Sequence, residues 1–214
     1  MINPSDINLS QFITNWYGPR DSPKTFLGPE YSWLPRPLRE WHALASQWTR
    51  PIIADNKMIP LMEISPREGK AIFMTDSSRD WLWSFDASNP SQVYDAELHH
   101  PWEPCSESLE ELLIHTTIRE GVNNANSFRL CPEVKVDLIP QIIAPTTEVA
   151  FGEWRWPVPG YRTFMSEFLV INVGPAPSFQ ASDDPRCSFW SIEAGSNHQD
   201  HLAYLDKLGI NWMK

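Results

Sequence analysis

The sequence predicts an α+β protein: a mostly antiparallel or mixed sheet flanked by N-terminal and central helices, with a β-rich C-terminal extension that ends in a helix. Its 20 prolines among 214 residues argue against a long helical bundle, because proline removes a backbone donor and clashes with the preceding turn. Helical periodicity is confined to separate segments, with alternating apolar and polar residues in others. The segments do not alternate regularly, as those of a parallel sheet would.

Two helices are predicted near the N-terminus. Residues 5–17 carry an apolar stripe at helical spacing, with Ser5 as the predicted N-cap and Gly18 as the stop. The second helix covers residues 37–48 and has Pro37 in its first turn, where proline is tolerated. A loop rich in proline and glycine separates the two.

A central helix and a terminal helix each begin with a capping box. Ser108 and Glu111 have the spacing in which each side chain bonds the other's backbone N–H. The terminal helix is predicted from Ser196, with Gln199 completing its box, to Gly209.

Strands are predicted between these helices. Trp81, Trp83 and Phe85 alternate with other residues, which is typical of a strand with one buried face. The predicted strands are residues 51–56, 58–64, 71–75, 81–85, 92–94, 148–156, 163–165, 168–173 and 187–192. Residues 128–143 are predicted as short apolar pieces broken by prolines. We therefore expect a domain of residues 1–125 and an extension of residues 126–214 packed on it.

Charge and composition exclude several classes of function. A net charge of −10 argues against binding to nucleic acid or to anionic membranes, and favours a basic partner. Cys105, Cys131 and Cys187 stand far apart, which predicts reduced thiols rather than a disulfide framework or a zinc ribbon. The N-terminal residues lack the pattern of a signal peptide, and no apolar run is long enough to span a membrane. We expect a cytoplasmic protein.

Negative charge is concentrated in one part of the sequence. From Asp76 to Glu111 there are nine acidic residues against one basic residue, Arg79, for a net charge of −8. Tryptophans in the same stretch suit an interface, in which aromatic side chains anchor a partner and charges steer it. The other interpretation is a solvated acidic edge with its tryptophans in the core. The residues predicted to bind a partner are Asp76, Asp80, Asp86, Glu97, Trp102 and Glu103.

Sequence signals for catalysis are weak. There is no G-x-S-x-G nucleophile elbow and no glycine-rich phosphate loop, so we predict no catalytic residue, cofactor or metal. Cys131 and His115 could meet in space, but no motif requires it. One alternative function is a metal-dependent hydrolase that uses His198, Asp200 and His201, although such a site needs a further ligand or a fixed second shell.

Short motifs carry a family resemblance. Residues 34–45 read LPRPLREWHALA; a strand ends in DWLW at 80–83, and SLEELL follows at 108–113. This order resembles bacterial members of the SUKH superfamily (Smi/Knr-like proteins), and the tail from Trp154 to Trp212 looks like its extended actinobacterial members. The sequence departs from the family pattern at 74–78, where a Glu-Asn-Gln run is common, and at Glu111-Leu112, where Phe-Leu is common.

The resemblance implies an α+β fold without catalysis. Many members are immunity proteins that bind and neutralise a cognate toxin, often a nuclease. Nuclease toxins tend to be basic, so an acidic strip would suit such a partner. The expected function is therefore stoichiometric binding of a basic toxin domain; an intracellular regulatory or scaffold module is the other non-catalytic alternative.

Overall fold

The computed structural model describes residues 1–156, 159–176 and 189–213. It contains two compact units, an N-terminal unit of Asn8–Glu120 and a C-terminal unit that combines Met1–Ile7 with Gly121–Lys214. The first residues join the C-terminal unit because Ile2 pairs in parallel with Val149. Helices combine with two antiparallel sheets, which confirms the predicted α+β class.

Three α-helices begin in the N-terminal unit: α1 (Leu9–Tyr17), α2 (Arg36–Ala45) and α3 (Leu109–Asn123). The predicted cap of α1 is wrong, because Asn8 rather than Ser5 accepts the N–H of Gln11, at 3.0 Å. Ser5 lies in a preceding 3₁₀ turn, Pro4–Asp6. Gly18 ends α1 with φ of 86°, as glycine at this position allows.

The α3 capping box is confirmed. The Ser108 N–H donates to Glu111 Oε2 at 2.8 Å, and the Glu111 N–H donates to Ser108 Oγ at 3.3 Å. From Leu112 to Ile118 every residue of α3 is buried. A helix that is buried around its whole circumference needs no single apolar stripe, and Thr116 and Thr117 accordingly lie in its buried part.

The N-terminal unit contains one antiparallel sheet. Its strands are β1 (Lys57–Met58), β2 (Pro66–Arg67), β3 (Lys70–Thr75), β4 (Trp81–Asp86), β5 (Val93–Glu97) and β6 (Glu103–Pro104). They lie in the order β1-β3-β4-β5-β6, and β2 also pairs with β3. Trp83 and Phe85 are buried opposite Met74 and Ala71 of β3, as predicted. The predicted alternation is wrong, however, because Ser84 between them is buried as well and Trp81 is only half-buried.

The strands predicted at 51–56 and 58–64 are largely wrong. Only Lys57–Met58 pairs with β3, and a 3₁₀ turn follows at Leu61–Glu63. The backbone N–H groups of residues 54–56 instead donate to the carboxylate of Glu120, at 2.8–3.0 Å. A side chain from α3 thus takes the hydrogen bonds that a neighbouring strand would have supplied.

The C-terminal unit contains a second antiparallel sheet, in the order β7-β11-β10-β9-β8. Its elements are β7 (Ser127–Lys135), α4 (Ile139–Ile143), β8 (Thr147–Glu148), β9 (Arg162–Met165), β10 (Leu169–Pro175) and β11 (Phe189–Ser196), then 3₁₀ turns at Gln199–Leu202 and Leu205–Lys207. Ile142, Leu202 and Leu205 join Ile171 and Ile192 in its core.

Three predictions in the C-terminal unit need correction. Pro132 does not break the chain, because β7 is an edge strand and its register against β11 shifts at this point, between Trp190 and Ile192, where a missing N–H is tolerated. The strand predicted at 148–156 shortens to Thr147–Glu148. The predicted terminal helix consists of 3₁₀ turns, and Ser196 ends β11 instead of capping a helix. Cys187 lies outside the described residues.

Candidate functional site

Five of the six predicted partner-binding residues, Asp76 included, lie at the ends of two neighbouring hairpins of the N-terminal unit. Glu97, Trp102 and Glu103 belong to the hairpin formed by β5 and β6, in which Asp95 pairs with Glu103. Asp80 belongs to the turn between β3 and β4. The geometry of these two hairpins determines which of the predicted side chains a partner could reach.

The two hairpins are joined by a backbone hydrogen bond. The N–H of Leu98 donates to the carbonyl oxygen of Asp80 at 2.6 Å, and the register places Trp81 opposite Glu97. Asp80, Glu97 and Glu103 are exposed, and Trp102 is half-buried. Leu98, which the sequence interpretation missed, is 40% exposed between them along the chain. We call Asp80, Glu97, Leu98, Trp102 and Glu103 the tip surface.

Asp76 does not belong to the tip surface, because its side chain is used inside the β3–β4 turn. The residue is buried, and its carboxylate accepts the Trp81 N–H at 3.0 Å and the Ser78 hydroxyl. Burial alone would raise the pKa of Asp76, but these hydrogen bonds together hold it below its ordinary value. The prediction that Asp76 faces a partner is therefore corrected: it shapes the turn.

Asp86 lies at the opposite end of β4 from Trp81, about 17 Å away for a strand of this length. Its carboxylate accepts hydrogen bonds from the Ser88 hydroxyl at 2.6 Å and from Lys70 Nζ at 3.0 Å. The bond from Ser88, followed by that from Lys70, lowers the pKa of Asp86. Lys70 Nζ also lies 3.4 Å from the centre of the Tyr94 ring. Asp86 is thus a local structural group, separate from the tip surface.

Three of the four remaining acidic residues of the strip are buried or have a structural role. Asp95 and Glu107 are buried, and Glu111 forms the capping box of α3. Of the nine acidic residues, the exposed ones are Asp80, Glu97, Glu103 and Glu110. The nine acidic residues are close together in the sequence but do not form one continuous acidic surface. Three of the four exposed ones belong to the tip surface.

Ten of the 11 tryptophans are buried or half-buried. Among the 11 tryptophans, Trp33 alone is exposed, at 42%. Its ring lies 6.2 Å from that of Phe85, at a tilted angle. Trp41 is buried on α2, and its indole N–H donates to Thr117 Oγ1 at 2.9 Å. Trp83 is therefore a core residue and cannot contact a partner, whereas Trp102 is only half-buried and part of its side chain is accessible.

A buried acid–imidazole pair joins His115 of α3 to Glu107, which precedes the helix. Glu107 Oε1 is 2.9 Å from His115 Nδ1, and both side chains are almost fully buried. Burial, reinforced by the negative charge of Glu107, raises the pKa of the neighbouring Cys105 thiol to about 12. A thiol of that kind is not a nucleophile near neutral pH. Cys131, which could have met His115, instead donates to the Glu133 carbonyl oxygen at 3.6 Å.

The residues predicted for a metal site, His198, Asp200 and His201, are not arranged as metal ligands. His198 and His201 are exposed, with ring centres 5.7 Å apart, and both rings lie near Phe168. Within residues 1–156, 159–176 and 189–213, no three His, Cys, Asp or Glu side chains are grouped to hold a metal ion.

A shallow pocket of about 300 Å³ lies beside the N-termini of α2 and α3. Pro35 and Pro37 line it from α2, and Pro90 lines it from the β4–β5 turn. Prolines lack the N–H that would hold an anion there, and the α3 terminus is occupied by its own capping box. The polar residues of its lining are Arg36, Ser91, Ser108 and Glu110, which include one side chain of each charge.

Comparison with protein-family models, curated proteins and solved structures gives no match. In the part of the chain that the structure describes, no helix is both long and apolar enough to cross a membrane.

Proposed function

We propose that this chain is a non-catalytic protein-binding domain that holds a basic protein through the tip surface. The observation that carries the proposal is the 2.6 Å hydrogen bond between Leu98 and Asp80, which joins the two hairpins. It brings the exposed carboxylate of Asp80 to the hairpin that carries Glu97 and Glu103. Carboxylates separated in sequence thereby act on one partner.

The tip surface combines the features of a small interface. Exposed carboxylates attract a basic partner and accelerate encounter. Leu98 and the accessible part of Trp102 supply apolar area between them, and aromatic side chains are common anchors of binding energy. The net charge of −10 adds a long-range attraction for the same kind of partner. Stoichiometric occlusion needs no catalytic group.

The finer proposal is that the chain acts as an immunity protein in the cytoplasm. Its support is the sequence resemblance to the SUKH superfamily, together with the acidic charge that would suit a basic toxin domain, such as a nuclease. Binding would cover the toxin and so neutralise it. Co-expression with the captured protein tests this directly: a partner that is not toxic to cells would instead indicate a regulatory or scaffold module.

The binding proposal is tested by capture from a native extract of the source cells. The immobilised chain should retain one basic protein at low salt and release it at about 0.5 M salt, where the Debye length is well below ~8 Å. The double variant D80K/E97K should lose the partner. The control E63K/E167K makes the same charge change at two exposed carboxylates outside the tip surface and should retain it.

Two results would contradict the proposal. One is a partner whose association rate does not depend on salt. The other is equal loss of binding in D80K/E97K and in E63K/E167K, because that would assign the effect to total charge and not to the tip. With purified partner, the D80K/E97K association rate should fall by about tenfold or more, within the range known for electrostatic steering.

A further inference from the structure

We propose that the pocket beside α2 and α3 is a docking site for a second copy of this chain, which inserts its Phe26 side chain. Phe26 is 93% exposed, so its ring is left almost wholly in water, and burying it in another molecule is favourable. The inference is independent of the proposed function. The pocket is lined by Pro90 of the β4–β5 turn, at the opposite end of β5 from Leu98 of the tip surface.

The loop that carries Phe26 is held to the C-terminal end of α2. The Thr25 N–H donates to Oγ of Ser46, the C-cap of the helix, at 2.9 Å. The Asp21 N–H donates to the Gln47 carbonyl oxygen at 3.1 Å. A loop that is already fixed loses less conformational entropy on binding than a mobile one, so these hydrogen bonds favour Phe26 as an anchor.

Phe26 does not reach the pocket of its own chain. The pocket lies at the N-terminal end of α2, where Arg36 lines it, whereas Thr25 is bound at the C-terminal end. Arg36 and Ser46 are ten positions apart, which is about 15 Å along a helix at about 1.5 Å per residue. A phenylalanine whose neighbour is bound to Ser46 does not extend that far. The ring and the pocket therefore meet between two copies.

The pocket has the size and the lining that a phenyl ring requires. Its volume is about 300 Å³, and its apolar lining consists of Pro35, Pro37, Pro90 and Leu109. An apolar cavity of about 150 Å³ is large enough to hold benzene, so the ring of a phenylalanine fits.

The charges beside the ring complement those of the pocket. The nearest charged residues on either side of the ring in the sequence are Lys24 and Glu30, and both are exposed. The pocket contributes Arg36 and Glu110. Lys24 can therefore pair with Glu110 of a second copy, and Glu30 can pair with its Arg36 in the same way. Arg36 is available, because its contact with Glu40, at 3.7 Å, joins two side chains that are each more than half exposed.

Two copies can make the same contact twice. In each copy the ring lies near the C-terminal end of α2 and the pocket lies at the N-terminal end. Two α2 helices that run antiparallel therefore bring each ring to the pocket of the other copy. An exchange of this kind closes a dimer about a twofold axis.

The test is the average mass of the purified full chain, measured by sedimentation equilibrium. Between about 10 μM and about 1 mM, the range expected for a small interface, this mass should rise from that of one chain toward that of two. Phe26→Ser should weaken dimerisation by about tenfold or more, because the burial of two rings is lost. Met62→Ser is the matched control: it removes a side chain that is 79% exposed in the same unit, and it should dimerise like the wild type.

Charge reversal tests the pairing of Lys24 with Glu110. K24E and E110K should each weaken dimerisation, whereas K24E/E110K, which has the net charge of the wild type, should restore it. The inference is overturned if the wild type stays monomeric, if F26S dimerises as strongly as the wild type, or if the double reversal dimerises no better than the single variants. A monomeric wild type that binds a different protein through Phe26 would also overturn it.

Discussion

The carboxylate of Asp76 accepts the backbone N–H of Trp81 at 3.0 Å, across the turn that presents Asp80. The same carboxylate accepts the Ser78 hydroxyl, and the Asp76 N–H donates to the Trp81 carbonyl oxygen at 3.0 Å. Arg79 within this turn has a φ of 68°, a conformation that costs energy for a non-glycine residue. The buried carboxylate therefore maintains a turn that would not hold its shape unaided.

Replacing Asp76 with Ala should destabilise the N-terminal unit by about 1–3 kcal/mol, because two part-buried hydrogen bonds, from the Trp81 N–H and the Ser78 hydroxyl, lose their acceptor. The matched control is Asp80→Ala, which removes an exposed carboxylate from the same turn and should change the free energy of unfolding by about 0.5 kcal/mol or less. Urea denaturation measures both. Equal stability of the two variants would show that the Asp76 hydrogen bonds do not hold the turn.

The contribution of Asp76 should also depend on pH, because its pKa is lower in the folded chain than its ordinary value. A lowered pKa stabilises the fold above the unfolded-state pKa of about 3.9, and this stabilisation is lost as the pH falls through the folded-state value. The stability difference between wild type and Asp76→Asn should therefore be constant from neutral pH to about pH 5 and should shrink below about pH 4. A difference that grows on acidification would contradict the sign.

The sequence contained enough information to place part of the tip surface. A meander of predicted strands at 71–75, 81–85 and 92–94 implies that residues 76–80 lie at one sheet end and Asp86 at the other, so Asp86 could have been separated from Asp80 in advance. The burial of Asp76 could not be foreseen, because the same carboxylate could equally have been solvated. No pattern in the sequence indicated that Leu98 would belong to the tip surface.

Local patterns were predictable where neighbouring residues along the chain settle the structure. The α3 capping box needs only Ser108 and Glu111. The alternation of β4 predicted the burial of Trp83 and Phe85 but not that of Ser84 between them. The region 51–56 was mispredicted because its partner, Glu120, lies more than sixty residues away along the chain. No local pattern indicates that a helix carboxylate will replace a strand.

The variant Glu120→Gln tests whether the Glu120 carboxylate takes the place of a neighbouring strand for residues 54–56. The Glu120 carboxylate accepts backbone N–H groups from Ala54, Asp55 and Asn56. A glutamine amide offers one oxygen and turns an NH₂ toward the other donors, so the variant should lose about 1–3 kcal/mol of unfolding free energy. Glu110→Gln, an exposed position of the same helix, is the control and should stay within about 0.5 kcal/mol of wild type.

One result would contradict this role of the Glu120 carboxylate. If Glu120→Gln unfolds at the same urea concentration as Glu110→Gln, residues 54–56 do not depend on the carboxylate. Hydrogen exchange of the Ala54, Asp55 and Asn56 amides provides a second measurement, and it should accelerate in Glu120→Gln alone.

Gly195 of β11 lies so close to the backbone of Val122 that there is no room for a side chain. A Cβ atom at this position would lie 2.9 Å from the Cα and carbonyl oxygen of Val122, which cannot move without shifting the backbone. Gly195→Ala should therefore cost about 1–3 kcal/mol through overpacking. Gly28→Ala is the control, because its Cβ would meet the flexible, exposed carboxylate of Glu30, which can swing away. Thermal unfolding that ranks the two variants equally would refute the backbone contact at Gly195.

The pair formed by Glu107 and His115 should behave as a coupled unit. Both side chains are almost fully buried at an N–O distance of 2.9 Å, so removing either one leaves a polar group without this partner in a poorly solvated site. Glu107→Ala and His115→Ala should each destabilise the fold by about 1–3 kcal/mol, because each leaves a buried polar group without this hydrogen bond. The double variant should lose clearly less than the sum, because each single change already removes the shared interaction. Urea denaturation of all four proteins gives the coupling energy, and strict additivity would show that the two groups do not stabilise each other.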